Sequence, residues 1–132
     1  MKPLLLDTNV LIRFFRNDRK IADIISKFEK IVIPTVVLGE FKSGVDPLTA
    51  GGKRQLEVLD AFLDSPYVDI IPVTEDTSGA YARIFRALKA NGTPIPQNDI
   101  WIAACAMDAG ATLISSDSHF AKIPLLDICI IE

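Results

Sequence analysis

Five short apolar runs, each the length of a strand, punctuate this chain and constrain its fold more than any other feature. They are Pro3 to Leu6, Ile31 to Ile33, a stretch within Tyr67 to Val73, Ala111 to Ser115, and Leu126 to Ile131. Between them the apolar residues recur at helical spacing. Val10, Leu11, Phe14 and Phe15 form one such stripe, and Ile21, Ile24, Ile25 and Phe28 repeat it after the polar break Asn17-Asp18-Arg19. Pro34-Thr35 suits a helix start for Val36 to Ser43, with Gly44 as its stop. Asp46 to Gly52 reads as a loop before an amphipathic helix marked by Leu56, Leu59, Phe62 and Leu63. Thr74 or Thr77 caps a helix running to Asn91-Gly92, and Thr93 to Gln97 reads as a Pro-punctuated loop. Asn98-Asp99 opens a helix that is apolar nearly all round from Ile100 to Met107, and Ser118 to Lys122 reads as one helical turn.

Continuous apolar strands alternating with helices imply a parallel sheet covered on both faces. The expectation is an α/β fold: a three-layer α/β/α domain over residues 1–132 with a central, mainly parallel five-stranded sheet. A chain of 132 residues buries roughly two-thirds of its unfolded surface, so its core needs no disulfide or structural metal. Right-handed crossovers put the strand ends and the following helix starts on one edge of the sheet, where open α/β folds bind ligands.

Composition narrows the function classes. No apolar run approaches the roughly 18 residues that span a bilayer, and the segment before Asp7 lacks the apolar stretch of a secretory signal, so no membrane is expected and a cytoplasmic location is the default. The single histidine, His119, and two cysteines 24 apart cannot assemble the usual zinc sites; Cys105 and Cys129 read as small buried hydrophobes. A net charge of −3 argues against nonspecific coating of nucleic acid, but not against an enzyme acting on one. Lys2, Arg13, Arg16, Arg19, Lys20, Lys27 and Lys30 crowd the first 30 positions, either as a solvated face or as a phosphate-facing patch. With Gly counted in, the apolar share sits slightly above the usual range of about 45–50%, which hints at a subunit or partner interface.

Four carboxylates project toward the ligand-binding edge of the inferred sheet. Asp7 and Asp117 follow strands, Asp99 sits in the first turn of a helix, and Glu40 lies on the apolar face of the helix after Pro34. Asp7, Asp99 and Asp117 each have a structural use as a cap, a dipole partner or a turn residue. Gathered within a few ångströms, however, four carboxylates repel one another unless a cation neutralises them, and oxygen-only ligands select Mg²⁺ or Mn²⁺. Such an ion suits phosphodiester hydrolysis, because it binds a phosphate oxygen, acidifies a water and steadies the leaving oxygen. Mg²⁺ takes only one or two carboxylates directly; Asp7 and Asp99 are assigned that role, with Glu40 and Asp117 holding waters or a second ion. Arg13 and Arg16 are the candidate contacts to substrate phosphates. His119, next to Phe120, reads as a packing or surface residue sooner than a general acid, and Trp101 as core.

The segments Leu6-Asp7-Thr8-Asn9-Val10-Leu11-Ile12, Ile33-Pro34-Thr35-Val36-Val37-Leu38-Gly39-Glu40, Asn98-Asp99-Ile100-Trp101-Ile102-Ala103-Ala104 and Leu113-Ile114-Ser115-Ser116-Asp117-Ser118-His119-Phe120 together resemble a PIN-domain ribonuclease, nearest the VapC-type toxins of prokaryotic toxin–antitoxin pairs. The resemblance spans nearly the whole chain. It implies a Mg²⁺- or Mn²⁺-dependent endoribonuclease that forms a homodimer and is silenced by a cognate antitoxin. The acidic quartet of that family matches Asp7, Glu40, Asp99 and Asp117. Thr8 or Asn9, and Ser116, match polar positions around the metal waters, while Ser115-Ser116 stands where an Arg or Lys often precedes the Asp. Three other readings fit less well. A receiver-like phosphoacceptor module has a similar size and sheet, but strand one ends here in a single Asp7. An Asp-x-Asp phosphatase would need a carboxylate where Asn9 stands. A non-catalytic domain would use its acidic groove only to grip a basic peptide such as an antitoxin tail.

Overall fold

The computed structural model covers residues 1–132. Five strands, β1 (Leu4–Leu6), β2 (Ile31–Pro34), β3 (Val68–Ile71), β4 (Thr112–Ser115) and β5 (Ile128–Ile130), pair in the order β3-β2-β1-β4-β5, and every pair is parallel. The six helices are α1 (Thr8–Phe15), α2 (Arg19–Ser26), α3 (Thr35–Ser43), α4 (Ala50–Leu63), α5 (Glu75–Ala90) and α6 (Gln97–Asp108); Ser118–Lys122 forms a 3-10 turn. Leu4, Leu5 and Leu6 of β1 are fully buried although successive side chains face opposite sides, so helices cover both faces of the sheet as expected. Each such leucine contributes about 1.5–3 kcal/mol relative to exposure.

The order of strands fixes where a ligand can sit. From β1 the chain moves outward to β2 and β3, then crosses back to β4 on the other side of β1. The neighbours β1 and β4 are therefore the switch point of the sheet, where their following connections diverge and leave a crevice at the carboxyl ends. In register, Leu6 pairs with Ile114, and Asp7 N–H donates to the Ile114 carbonyl at 3.1 Å. Residues just past these two strands face each other across the crevice. The same order removes the receiver-like reading. That class needs its acceptor-bearing third strand beside strand one, whereas β3 here is an edge strand running into Pro72.

Local chemistry explains the element ends. Asn17, with a φ of 64°, breaks the chain between α1 and α2, and the Asp18 carboxylate caps α2 while accepting two bonds from the Arg13 guanidinium, at 3.0 and 2.8 Å. Thr74 caps α5, and Thr77 reciprocates from three residues on, so the two threonines weighed as alternative caps act as one capping box. The segment Asp46 to Gly52 is not all loop. Thr49 Oγ1 accepts from Gly52 N–H at 2.9 Å, and α4 begins at Ala50. Two adjacent glycines suggested a loop, but Gly52 is needed because its Cα lies against the Asp46 carbonyl, where a Cβ would stand 1.7 Å from the oxygen.

Two other expectations need correction. Trp101 is only partly buried: its indole lies over Tyr81 of α5, with ring centroids 4.1 Å apart, because the helix turns that position toward the α5 surface and not the sheet. Cys105 is buried as expected, and burial pushes its thiol up to about 11, whereas Cys129 on edge strand β5 is half-buried. No helix is long and apolar enough to cross a membrane.

Candidate active site

Asp7 is 5% exposed at the end of β1, and both of its oxygens are engaged. Oδ1 accepts from Thr8 N–H at 2.8 Å as the cap of α1, and Oδ2 accepts from the Ser115 hydroxyl at 2.6 Å. The second bond bridges the crevice from β4. Ser115 is fully buried, and its Oγ also accepts from Asp117 N–H at 2.9 Å, so one hydroxyl ties two acidic residues together. Ser116 was the serine expected at the site, but it is Ser115 that bonds the two acidic residues. The available signal was a polar residue closing an otherwise apolar central strand, which must bond once buried.

Glu40 comes from the second turn of α3 and is half-buried; its Oε1 accepts from Thr8 Oγ1 at 2.8 Å. Asn9, in the first turn of α1, has a buried Oδ1 without a hydrogen-bond partner. Ser116 is half-buried next to Asp117. Asp99, in the first turn of α6, has a side chain 15% exposed, and Asp117 caps the 3-10 turn by accepting from His119 N–H at 2.9 Å. His119 is neither a core packing residue nor a free surface one. Its Nδ1 stands 3.1 Å from Asp99 Oδ2 and 3.1 Å from Asp117 Oδ1. Phe120, fully buried, anchors the turn so that its neighbour's imidazole faces the carboxylates.

The electrostatics fit a cation. Burial raises the Asp7 carboxyl above its usual value, opposed by the Ser115 and Thr8 bonds and reinforced by the charges of Asp99 and Glu40. Burial likewise raises Asp99, opposed by the His119 bond and reinforced by Asp117 and Glu40. Carboxylates that disfavour their own charge and one another's are stabilised by a divalent ion. Ligand atoms of Asp99, Asp117 and His119 lie within 4.8 Å of one another, close enough to hold a metal together. The donor set is hard oxygen plus one imidazole nitrogen, and the orphaned Asn9 oxygen leaves an acceptor for a metal-held water.

The basic residues divide. Arg13 is committed to Asp18, Lys2 pairs with Asp127 at 2.8 Å and Lys30 with Asp69 at 3.1 Å, so there is no single phosphate-facing patch. Arg16 instead lines a cavity of about 280 Å³ together with Glu40, Ile12, Phe15, Phe41 and Arg54. Arg54 was not anticipated, since it lay at the margin of the expected loop.

A family model described as PIN domain matches residues 4–126. The chain belongs to the PIN-domain family. Among its relatives, Ribonuclease VapC4 of Mycobacterium tuberculosis is 29% identical over 97 residues, 73% of each chain. Ribonuclease VapC1 of Haemophilus influenzae is 28% identical over 125 residues, 90% of each. Among solved structures, VapBC-5 from Mycobacterium tuberculosis, described as a member of the VapBC family of toxin-antitoxin systems, superimposes with a TM-score of 0.76 at 27% identity, covering 100% of this chain and 99% of that one. This PIN-domain chain thus has the fold and the family that its four acidic motifs implied.

Proposed function

We propose that this PIN-domain protein is a Mg²⁺- or Mn²⁺-dependent endoribonuclease, the toxin of a type II toxin–antitoxin module. The observation that carries the proposal is the meeting of Asp7 and Asp117 through Ser115 at the sheet's switch point, with Glu40 bonded to Thr8 next to Asp7 and Asp99 joined to Asp117 across His119. The names of the VapC relatives support the substrate class.

A bound divalent ion supplies Lewis-acid polarisation of a phosphate oxygen and a water of lowered pKa. Asp7 and Asp99 are the residues that would hold that ion. Ser115 aims Asp7 and favours its ionised form, because a hydroxyl donates more strongly to a carboxylate than to a carboxylic acid, which offsets part of the effect of burial. Thr8 fixes the Glu40 carboxylate, which is left to orient a water and accept its proton. Asp117 is held by backbone and histidine contacts on the opposite wall, where a second ion or water would sit. Arg16 and Arg54, beside Glu40, are the side chains placed to take a flanking RNA phosphate.

An antitoxin partner is supported by the VapBC relative and by the apolar lining of the cavity beside Glu40. An arginine from such a partner would inhibit by pairing bidentately with the carboxylates in place of the cation. A homodimer is the proposed assembly.

The test is cleavage of a mixed RNA pool by purified protein with Mg²⁺ or Mn²⁺, against Asp7→Asn, Asp99→Asn and an EDTA control. The expected result is cleavage by the wild type only, with metal only. Equal inactivity of wild type and variants, with metal binding confirmed, a structured RNA included and no antitoxin bound, sinks the nuclease assignment.

A further inference from the structure

His119 is the one histidine of the chain, and its imidazole is built into the acidic crevice. Three constraints hold it there. Its own N–H is tied to Asp117 Oδ1, its neighbour Phe120 is locked in the core, and Nδ1 is flanked at 3.1 Å by one oxygen from α6 and one from the turn after β4. A single ring nitrogen carries at most one hydrogen, so it cannot donate well to both carboxylates at once. One nitrogen and two carboxylate oxygens converging from different elements are instead arranged as one face of a coordination shell. Two edges of 3.1 Å and a third under 4.8 Å leave room for one divalent ion to touch all three atoms.

We propose that His119 Nδ1 is a direct ligand of the divalent ion, completing with Asp99 and Asp117 a mixed nitrogen–oxygen face that favours Mn²⁺ over Mg²⁺. The preference follows from ligand character: imidazole is a useful donor to first-row transition ions and a poor one to Mg²⁺, which holds oxygen ligands and its own waters. An all-carboxylate site lacks this nitrogen contribution and discriminates less between the two ions. The competing account makes the imidazole a counter-charge between Asp99 and Asp117 that a metal displaces, and it predicts no metal–nitrogen bond. The proposal rests on the metal-dependent reading of this site and refines its ligand set.

Mn²⁺ bound to the full chain is its own probe. Electron spin-echo modulation of the Mn²⁺ complex should show one directly coordinated ¹⁴N, and selective ¹⁵N-histidine labelling should replace it, an unambiguous assignment because there is one histidine. Titration calorimetry should find Mn²⁺ bound at least about tenfold more weakly by His119→Ala and His119→Gln, with Mg²⁺ changed less than about threefold. Stoichiometric Mn²⁺ without nitrogen coupling overturns the ligand assignment, and so does an equal loss of both metals. Either outcome leaves the nuclease reading standing if RNA is still cleaved. Failure of the wild type to bind Mn²⁺ at all overturns both. The spectroscopic test uses the wild type, so it stands even if the variants fold poorly.

Discussion

At the scale of single residues, the site depends on a hydroxyl that is not itself acidic. Ser115 donates to Asp7 and accepts from Asp117 N–H, so removing its oxygen leaves two polar groups at the switch point short of a partner. Ser115→Ala should cost about 1–3 kcal/mol of stability, read by denaturant unfolding. The pH effect has a definite sign. Burial holds the Asp7 carboxyl above its usual value and the Ser115 bond pulls it back, so Ser115→Ala pushes it higher still. Metal binding needs the ionised form, and the acid limb of the kcat/KM profile should therefore move to higher pH in the variant. An unmoved acid limb would mean that Asp7 is not the group whose ionisation limits activity. The carboxylates were legible in the sequence because acidic residues at strand and helix ends stand out from apolar surroundings. Ser115 and His119 were not. Ser115 acts through a bond to a residue 108 positions away, and His119 is turned inward only because Phe120 takes the core position.

The scale of elements shows the limits of local pattern most clearly at α4. Gly51 and Gly52 look alike in sequence, yet a Cβ at Gly51 meets open space while one at Gly52 lands on the Asp46 carbonyl. Gly51→Ala should stabilise the protein by roughly 0.5–1 kcal/mol through helix propensity. Gly52→Ala should force the Asp46–Thr49 turn out of place and unravel the start of α4, a loss of several kcal/mol by the same unfolding measurement. Because Arg54 and Val58 of α4 line the cavity that Glu40 also lines, the second variant should also weaken RNA or partner binding, and the first should not. Equal effects of the two would refute the tight turn. Where an apolar run was continuous, in β1, β2 and β4, or a helical stripe was clear, in α1 and α2, the elements formed within a residue or two of where the pattern put them. It failed where a side-chain cap or a single close approach decided the boundary, as Thr49 does for α4, and where a helix face met another helix, as Trp101 does against Tyr81.

On the scale of the whole molecule, the crevice trades stability for binding. Asp7 and Asp99 have folded-state values above those of the unfolded chain, so their contribution is fully present below about pH 4 and is lost as pH rises through the raised values. Asp18 and Asp127 run the other way: Arg13 holds the first and Lys2 the second below the usual range, so their contribution is lost as pH falls. The metal-free protein is squeezed between the two groups, and near neutral pH it carries the penalty of an ionised acidic crevice. A divalent ion binds the ionised form and relieves that penalty. The difference in Tm between Mn²⁺ and EDTA should therefore be smallest at acid pH, where the two carboxyls are protonated, and should grow as pH rises through their raised values. At 100 times Kd, linkage gives about 2.7 kcal/mol, or roughly 8 °C for a chain of this size. Asp7→Asn keeps the cap of α1 and lets the Ser115 hydroxyl accept where it had donated, while deleting a charge that burial disfavours. It should melt higher than the wild type in EDTA at neutral pH and show little response to Mn²⁺. A variant that melted lower in EDTA and kept the full Mn²⁺ shift would place the ion away from β1 and remove Asp7 from the site.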